Sequence, residues 1–241
     1  MTSQPASGAS GVKPPPDRLY GRRRSHPLRD RQERLISETL PRLRLRDEEI
    51  ASPPLPAWLE VGFGGGEHAL AQAAANPGVT FIACEVFENG ICSLLARLVP
   101  EGGEGSAPLP DNLRIWDADA RELLRQLPGE SIQRLFLLFP DPWPKARHAK
   151  RRFVHPALLT AVARVLAVGG EWRIASDDPT YQDWVDGVLG AQDLFRLVSR
   201  SAGAPPESPV AWPPTRYEAK ARAAGRRPVY WTLERLTSAW I

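Results

Sequence analysis

The chain has 241 residues, a formal net charge of +3, and 42% hydrophobic and 24% charged residues, an ordinary globular composition long enough for one sizeable core. Its longest purely apolar run, Leu135–Phe139, is too short to cross a bilayer, and its first eleven residues carry neither the basic nor the apolar stretch of a secretory signal. Two cysteines, Cys84 and Cys92, cannot build a disulfide framework or a four-ligand zinc site, so a soluble cytoplasmic protein is expected and no metal is called for.

Residues 1–17 are rich in Ser, Gly, Pro and Ala and are expected to be a disordered tail. Residues 18–55 form a basic arm with sparse apolar positions, readable as a short helix or as a segment that orders on a partner, and the Ser52–Pro56 cluster marks its end. From residue 56 to 241 strands and helices alternate. Strands are expected at 57–61, 79–86, 112–116, 132–139 and 171–176. Helices are expected at 67–75, 89–99, 118–127, 156–167 and 180–189, with Gly169-Gly170 closing the fourth of them. Two final strands are expected at 194–199 and 228–234. Near-continuous apolar strands alternating with helices predict an α/β fold with a mostly parallel sheet covered on both faces, whose ligands bind beyond the carboxyl ends of the strands.

Charge is unevenly placed. Ten arginines fall between Arg18 and Arg46, a second basic run spans Lys145–Arg152, and a third spans Arg216–Arg227. Such clusters suit a polyanion, although a chain with 27 Arg and four Lys produces clusters by bias alone.

The unusual residues sit at the predicted strand ends. Glu60-Val61-Gly62-Phe63-Gly64-Gly65-Gly66 follows the first strand; its glycines let the backbone turn tightly and approach a ligand. The third glycine of a dinucleotide fingerprint is replaced by Glu67, and an acid at Glu60 suits a cationic amino-acid ligand such as S-adenosylmethionine better than a pyrophosphate. Glu85 ends the second strand, where an acid can accept both ribose hydroxyls. Past the third strand, Asp119 could accept from an adenine amino group or cap a helix, with Asp117 its competitor. Phe139-Pro140-Asp141-Pro142-Trp143-Pro144-Lys145 follows the most apolar strand, and its prolines stiffen the turn. Ser176-Asp177-Asp178 and Thr215-Arg216-Tyr217-Glu218 complete the set.

In order and spacing, GFGGGEHAL, EVFENG, DADA, LFPDPWPKARHAKRR, ASDD and TRYEAKA resemble the bacterial tRNA (guanine-N7-)-methyltransferases over about residues 56–235. The resemblance implies a seven-stranded Rossmann-like fold, S-adenosylmethionine as cofactor, tRNA as partner, and methylation of guanosine N7 at position forty-six of the variable loop. It also implies a cofactor site at Glu60, Gly62, Gly64, Glu85, Asp119 and Asp141, with Asp141 the catalytic acid residue. Lys145, Asp177, Thr215, Arg216, Tyr217 and Glu218 match substrate positions, and Arg147, His148, Lys150, Arg151 and Arg152 match the RNA-contacting run. Pro144 departs from the family pattern, and the loop at 100–110 looks long. Rival readings are a nicotinamide dehydrogenase, another RNA base methyltransferase and a non-catalytic RNA-binding relative; monomer and homodimer both remain open.

Overall fold

In the first strand, β1 (Ala57–Val61), every residue is buried, as a strand covered on both faces requires. Leu59 and Val61 face one apolar cluster with Ile82, Leu135, Leu137, Trp172 and Ile174. Trp58 joins a second cluster with Phe81, Phe136 and Leu138 on the other side. The structure is a computed structural model that describes residues 23–54 and 56–237. The expected tail at 1–17, the first residues of the basic arm and the last four residues lie outside that range.

The elements that follow are α4 (Glu67–Ala75), β2 (Thr80–Cys84), α5 (Glu88–Leu98), β3 (Leu113–Trp116), α6 (Ala120–Gln126), β4 (Ile132–Leu138), α7 (Pro156–Val165), β5 (Leu166–Ser176), α8 (Pro179–Gly190), β6 (Phe195–Ala202), α9 (Arg216–Ala223) and β7 (Val229–Arg235). The sheet order is β3-β2-β1-β4-β5-β7-β6. Five strands run parallel, and β7 is antiparallel to both its neighbours. Helices α6, α7 and α8 cover the first cluster, and α4 and α5 the second. The strand order reverses between β1 and β4, which opens a crevice at their carboxyl ends. No helix among the described residues is long and apolar enough to cross a membrane.

Two expectations need correction. Helix α7 stops at Val165, and Gly169-Gly170 lie inside β5 rather than closing a helix. Leu166 pairs with Ile132 and Glu171 with Arg134, so four residues of β5 bulge out opposite a single residue of β4. Gly169 takes φ +74° at that bulge. The segment at Thr215, expected only to precede a strand, opens helix α9, with Thr215 Oγ1 accepting from the Glu218 N–H at 3.1 Å.

The arm is built into the core. Its helices α1 (Asp30–Arg34), α2 (Leu40–Leu43) and α3 (Asp47–Ala51), with a π-helical turn at Leu35–Thr39, bury Leu35, Leu40 and Leu43 in the second cluster and Ile50 in the first. Leu45 N–H donates to Ile115 C=O at 2.9 Å and covers the free edge of β3. Most of the arm's described arginines are committed internally: Arg31 and Arg34 to Glu104, Arg42 to Ala107 C=O, Arg44 to Asp117, and Arg46 to Glu48 and Glu49. The 100–110 loop is the dock for Arg31, Arg34 and Arg42. Its Glu104 is buried, and Thr39 Oγ1 donates to Glu104 C=O at 2.6 Å.

Leu40→Ala is expected to destabilise the protein by about 2–5 kcal/mol, as for a leucine within a single core. Urea unfolding monitored by circular dichroism measures it; a cost below about 0.5 kcal/mol, the scale of surface changes, would mean the arm is peripheral.

Candidate active site

At the end of β1 the chain turns through Gly62–Gly66. Gly62 and Phe63 N–H both donate to Cys84 C=O, at 2.8 and 3.2 Å, which seats the turn on β2. Gly62 has φ +75°, and a Cβ there would meet nothing within 4 Å, so its backbone is open to a ligand. Gly64 has φ +58° and is enclosed: a Cβ would stand 2.7 Å from the Tyr217 ring, while Gly90 of α5 presses on the Gly64 carbonyl from the other side.

Glu85 holds this turn together. One carboxylate oxygen accepts Gly64 N–H at 2.8 Å, and the other accepts Val86 and Phe87 N–H at 2.8 and 3.0 Å. Burial raises its pKa above the ordinary carboxylate range; the three N–H donors oppose that rise, and nearby Asp141 adds to it. A carboxylate has about four acceptor sites, so capacity remains on the side facing the cleft.

Two adjoining hollows, about 740 and 140 Å³, open at the strand ends and share Val61, Gly62, Glu85, Val86, Arg151 and Phe153. Asp119 faces the smaller one. It caps α6 by accepting Arg121 N–H at 2.9 Å and pairs with the Arg121 guanidinium at 2.8 Å. Its competitor Asp117 is held by Arg44 at 2.7 and 3.0 Å outside both hollows. Asp141, Trp143, Gly64 and Tyr217 line the larger hollow.

The loop carrying Asp141 is strained and pinned. Phe139 and Trp143 take φ +52° and +44°, conformations costing each about 1–3 kcal/mol in a residue with a side chain. Phe139 N–H donates to Ala175 C=O at 2.8 Å. Arg152, only 4% exposed, donates to the carbonyls of Pro142 and Trp143, both at 3.0 Å, and stacks 4.8 Å over Trp184. Arg152 is thus a staple of the loop, and it also lines the smaller hollow. Arg151 lies 4.7 Å over Trp143 and lines both hollows. Lys145 and Arg147 are exposed, on or beside the 3₁₀ turn Ala146–Arg151, with Lys150 half-buried beside them. His148 packs edge-on to Trp143, and burial, then the surrounding Arg151, Arg147, Lys145 and Lys150, holds its pKa below the usual histidine value.

Other expected residues lie outside the lining. Glu60 is 2% exposed, and its carboxylate accepts from His68 Nδ1 at 2.9 Å beneath the glycine turn. Asp177 pairs with Arg226 at 2.5 Å and Glu218 with Arg222 at 2.7 Å. Arg216 stacks over Tyr217, 5.1 Å from the ring. Sequence reasoning missed His68, Gly90 and Arg173. Gly90, a glycine inside a helix, was the available signal. Arg173, buried at the sheet centre, donates to Ser208 Oγ at 2.6 Å and Val210 C=O at 2.8 Å and stacks 5.0 Å from Trp212. No group of three metal-ligating side chains occurs among the described residues.

A parallel sheet with a reversal point, a glycine turn after β1 and acids ending β2 and following β3 and β4 define the Rossmann-like methyltransferase class. Solved structures agree on the fold. The 16S rRNA methyltransferase KamB matches with a TM-score of 0.53 at 17% identity, over 79% of this chain and 92% of its own. An antibiotic-related methyltransferase matches with a TM-score of 0.52 at 11% identity, over 80% and 95%. A family model described as "Putative methyltransferase" covers residues 55–230. The tRNA (guanine-N(7)-)-methyltransferase of Granulibacter bethesdensis is 62% identical over 91% of this chain and 96% of its own, and that of Rhodospirillum rubrum is 46% identical over 90% and 88%. The chain therefore belongs to the tRNA (guanine-N(7)-)-methyltransferase family.

Gly64→Ala should lose stability through its left-handed backbone and its approach to Tyr217. A double-mutant cycle with Tyr217→Gly separates the two. The steric part should return in the double variant as a coupling above about 0.5 kcal/mol, and strict additivity would mean that Tyr217 does not press on the turn.

Proposed function

We propose that this chain transfers the methyl group of S-adenosylmethionine to N7 of a guanosine in tRNA, at position forty-six of the variable loop. The observation that carries the reading is Asp141, held on a strained and pinned loop at the sheet's reversal point, across the same hollow from Glu85 and the glycine turn. Two carboxylates facing one hollow favour a cationic ligand, which fits both a sulfonium cofactor and a base that becomes positively charged.

The residues fit the cofactor. The open backbone at Gly62 allows close approach, Glu85 retains acceptor capacity for a ribose hydroxyl, and Asp119, though paired with Arg121, borders the smaller hollow where an adenine amino group would lie. When bound, S-adenosylmethionine supplies an electrophilic methyl group on a sulfonium. Guanine N7 carries a free lone pair, so the protein removes no proton before attack, and positioning supplies most of the acceleration. Asp141 accepts hydrogen bonds from guanine N1–H and the amino group and offsets the charge developing on the base. Asp177 is the weaker candidate for that role because Arg226 already neutralises it. Lys145 and Arg147 are exposed, with Lys150 half-buried beside them, on the basic run that adjoins the hollow's Arg151, and they suit phosphates.

Incubation with unmodified tRNA and methyl-labelled S-adenosylmethionine should label 7-methylguanosine in the variable loop; label in another nucleoside would discard this substrate. Asp141→Ala should lower kcat by about 10²–10³, the scale of one transition-state hydrogen-bonding group, with tRNA affinity nearly unchanged. Wild-type turnover by this variant refutes the assignment.

The two basic roles also separate. Arg147→Ala with Lys150→Ala should flatten the salt dependence of tRNA binding by about 1–2 in log–log slope. Arg152→Ala should leave that slope unchanged while lowering kcat through the released loop. Equal slopes for all three proteins would remove Arg147 and Lys150 from the RNA interface.

A further inference from the structure

We propose that His68 and Gln72 are positioning residues, forming a buried relay that couples the strap before α9 to the glycine turn, so that binding at one tightens binding at the other. The inference rests on the function proposed above, in that the strap leads to the substrate-side helix and the turn to the cofactor.

The relay is continuous. Glu60, His68 and Gln72 are 2%, 2% and 1% exposed. His68 Nδ1 lies 2.9 Å from the Glu60 carboxylate, and His68 Nε2 lies 3.2 Å from Gln72 Nε2. The same Gln72 nitrogen donates to Ala211 C=O at 2.9 Å. Its direction is set by the far end of the glutamine: Gln72 Oε1 accepts from Asn76 Nδ2 at 3.2 Å, which turns the amide nitrogen toward His68 and Ala211. An amide nitrogen only donates, so His68 Nε2 accepts and Nδ1 carries the hydrogen given to Glu60.

Both ends reach the site. Glu60 immediately precedes Val61 and Gly62, and Ala211 precedes Thr215, the cap of α9, by four residues. The strap and the turn meet again at the surface, where Tyr217 packs on Gly64. Arg173 anchors Ser208 and Val210 and reaches the Ala211 carbonyl at 3.5 Å, so Ala211 is the point where that anchor and the shorter Gln72 bond meet, and the relay is what ties it to the glycine turn. The His68 ring sits edge-on to Phe136, with centroids 4.7 Å apart, and to Phe81 at 6.3 Å. In that apolar setting a hydrophobic side chain would pack without the desolvation penalty of three polar groups. What the polar chain adds is fixed geometry: a displaced strap either breaks the Gln72–Ala211 bond or drags His68 and Glu60 with it.

The test is the coupling itself. The affinity of S-adenosylhomocysteine is measured by calorimetry with and without unmodified tRNA, for the wild-type chain and for Gln72→Met, a near-isosteric helix former that donates no hydrogen bond. In the wild type tRNA should tighten S-adenosylhomocysteine by about fivefold or more. In Gln72→Met the effect should fall below about twofold, with binding of S-adenosylhomocysteine alone nearly unchanged. Absent coupling in the wild type, coupling that survives in Gln72→Met, or a variant that loses S-adenosylhomocysteine binding by itself each overturns the relay and leaves the proposed function standing. A wild type that binds neither molecule overturns the function and the relay together. Nitrogen-15 histidine spectra of the wild type give an answer that needs no variant. His68 should be protonated at Nδ1, with that resonance shifting when tRNA is added. An Nε2-protonated ring, or an unmoved resonance, refutes the proposal.

Discussion

Three backbone N–H groups converge on one carboxylate, that of Glu85, and the geometry of the cleft follows from it. Gly64 belongs to the turn after β1, and Val86 and Phe87 to the turn after β2. One side chain thus joins two βα connections that the sheet hydrogen bonds alone would leave independent. Such an acid must be buried to reach all three donors, and burial raises its pKa while the donors hold it down. Packing completes the frame: Gly64 is enclosed by Tyr217 on one side and Gly90 on the other, and neither approach tolerates a side chain there.

Arginine has a structural use throughout this chain. Arg31, Arg34 and Arg42 tie the amino-terminal helices to the 100–110 loop, Arg44 ties them to Asp117 just past β3, and Arg46 braces α3 from within. Arg152 holds the Asp141 loop, and Arg173 holds the Pro-rich strap. A guanidinium presents five donors in a fixed fork. It can therefore satisfy carbonyls from irregular loops that have no strand or helix partner. Proline-rich connections lack some of their own N–H donors but keep every carbonyl, and arginine is the side chain best suited to meet them.

The same logic explains how strain is tolerated at the Asp141 loop. Left-handed backbone at Phe139 and Trp143 is unfavourable in isolation. It persists because a β5 carbonyl, the Arg152 guanidinium and the Arg151–Trp143 stack over-determine the loop. A rigid support for one carboxylate is what the proposed methyl transfer, driven by positioning, would require.

Local pattern determined the order of strands and helices, the parallel sheet, and the acids near its carboxyl edge, because apolar periodicity and glycine turns are properties of neighbouring residues. Local pattern also singled out Glu60, Gly62, Gly64, Glu85, Asp119 and Asp141, of which all but Glu60 line the two hollows. It preferred Asp119 to Asp117 but could not show what occupies Asp117, since that is Arg44, 73 residues away. Nor could it tell that Glu60 turns inward to His68, that Arg152 is a staple, or that Gly169-Gly170 form a bulge. Each of these is decided by which partner the folded chain brings within reach, eight residues away for Glu60, nine and ten for Arg152, and across the sheet for the bulge. Charge and glycine content are written along the chain; which charges are free, and which glycines are enclosed, is settled only when the sheet brings its far ends together.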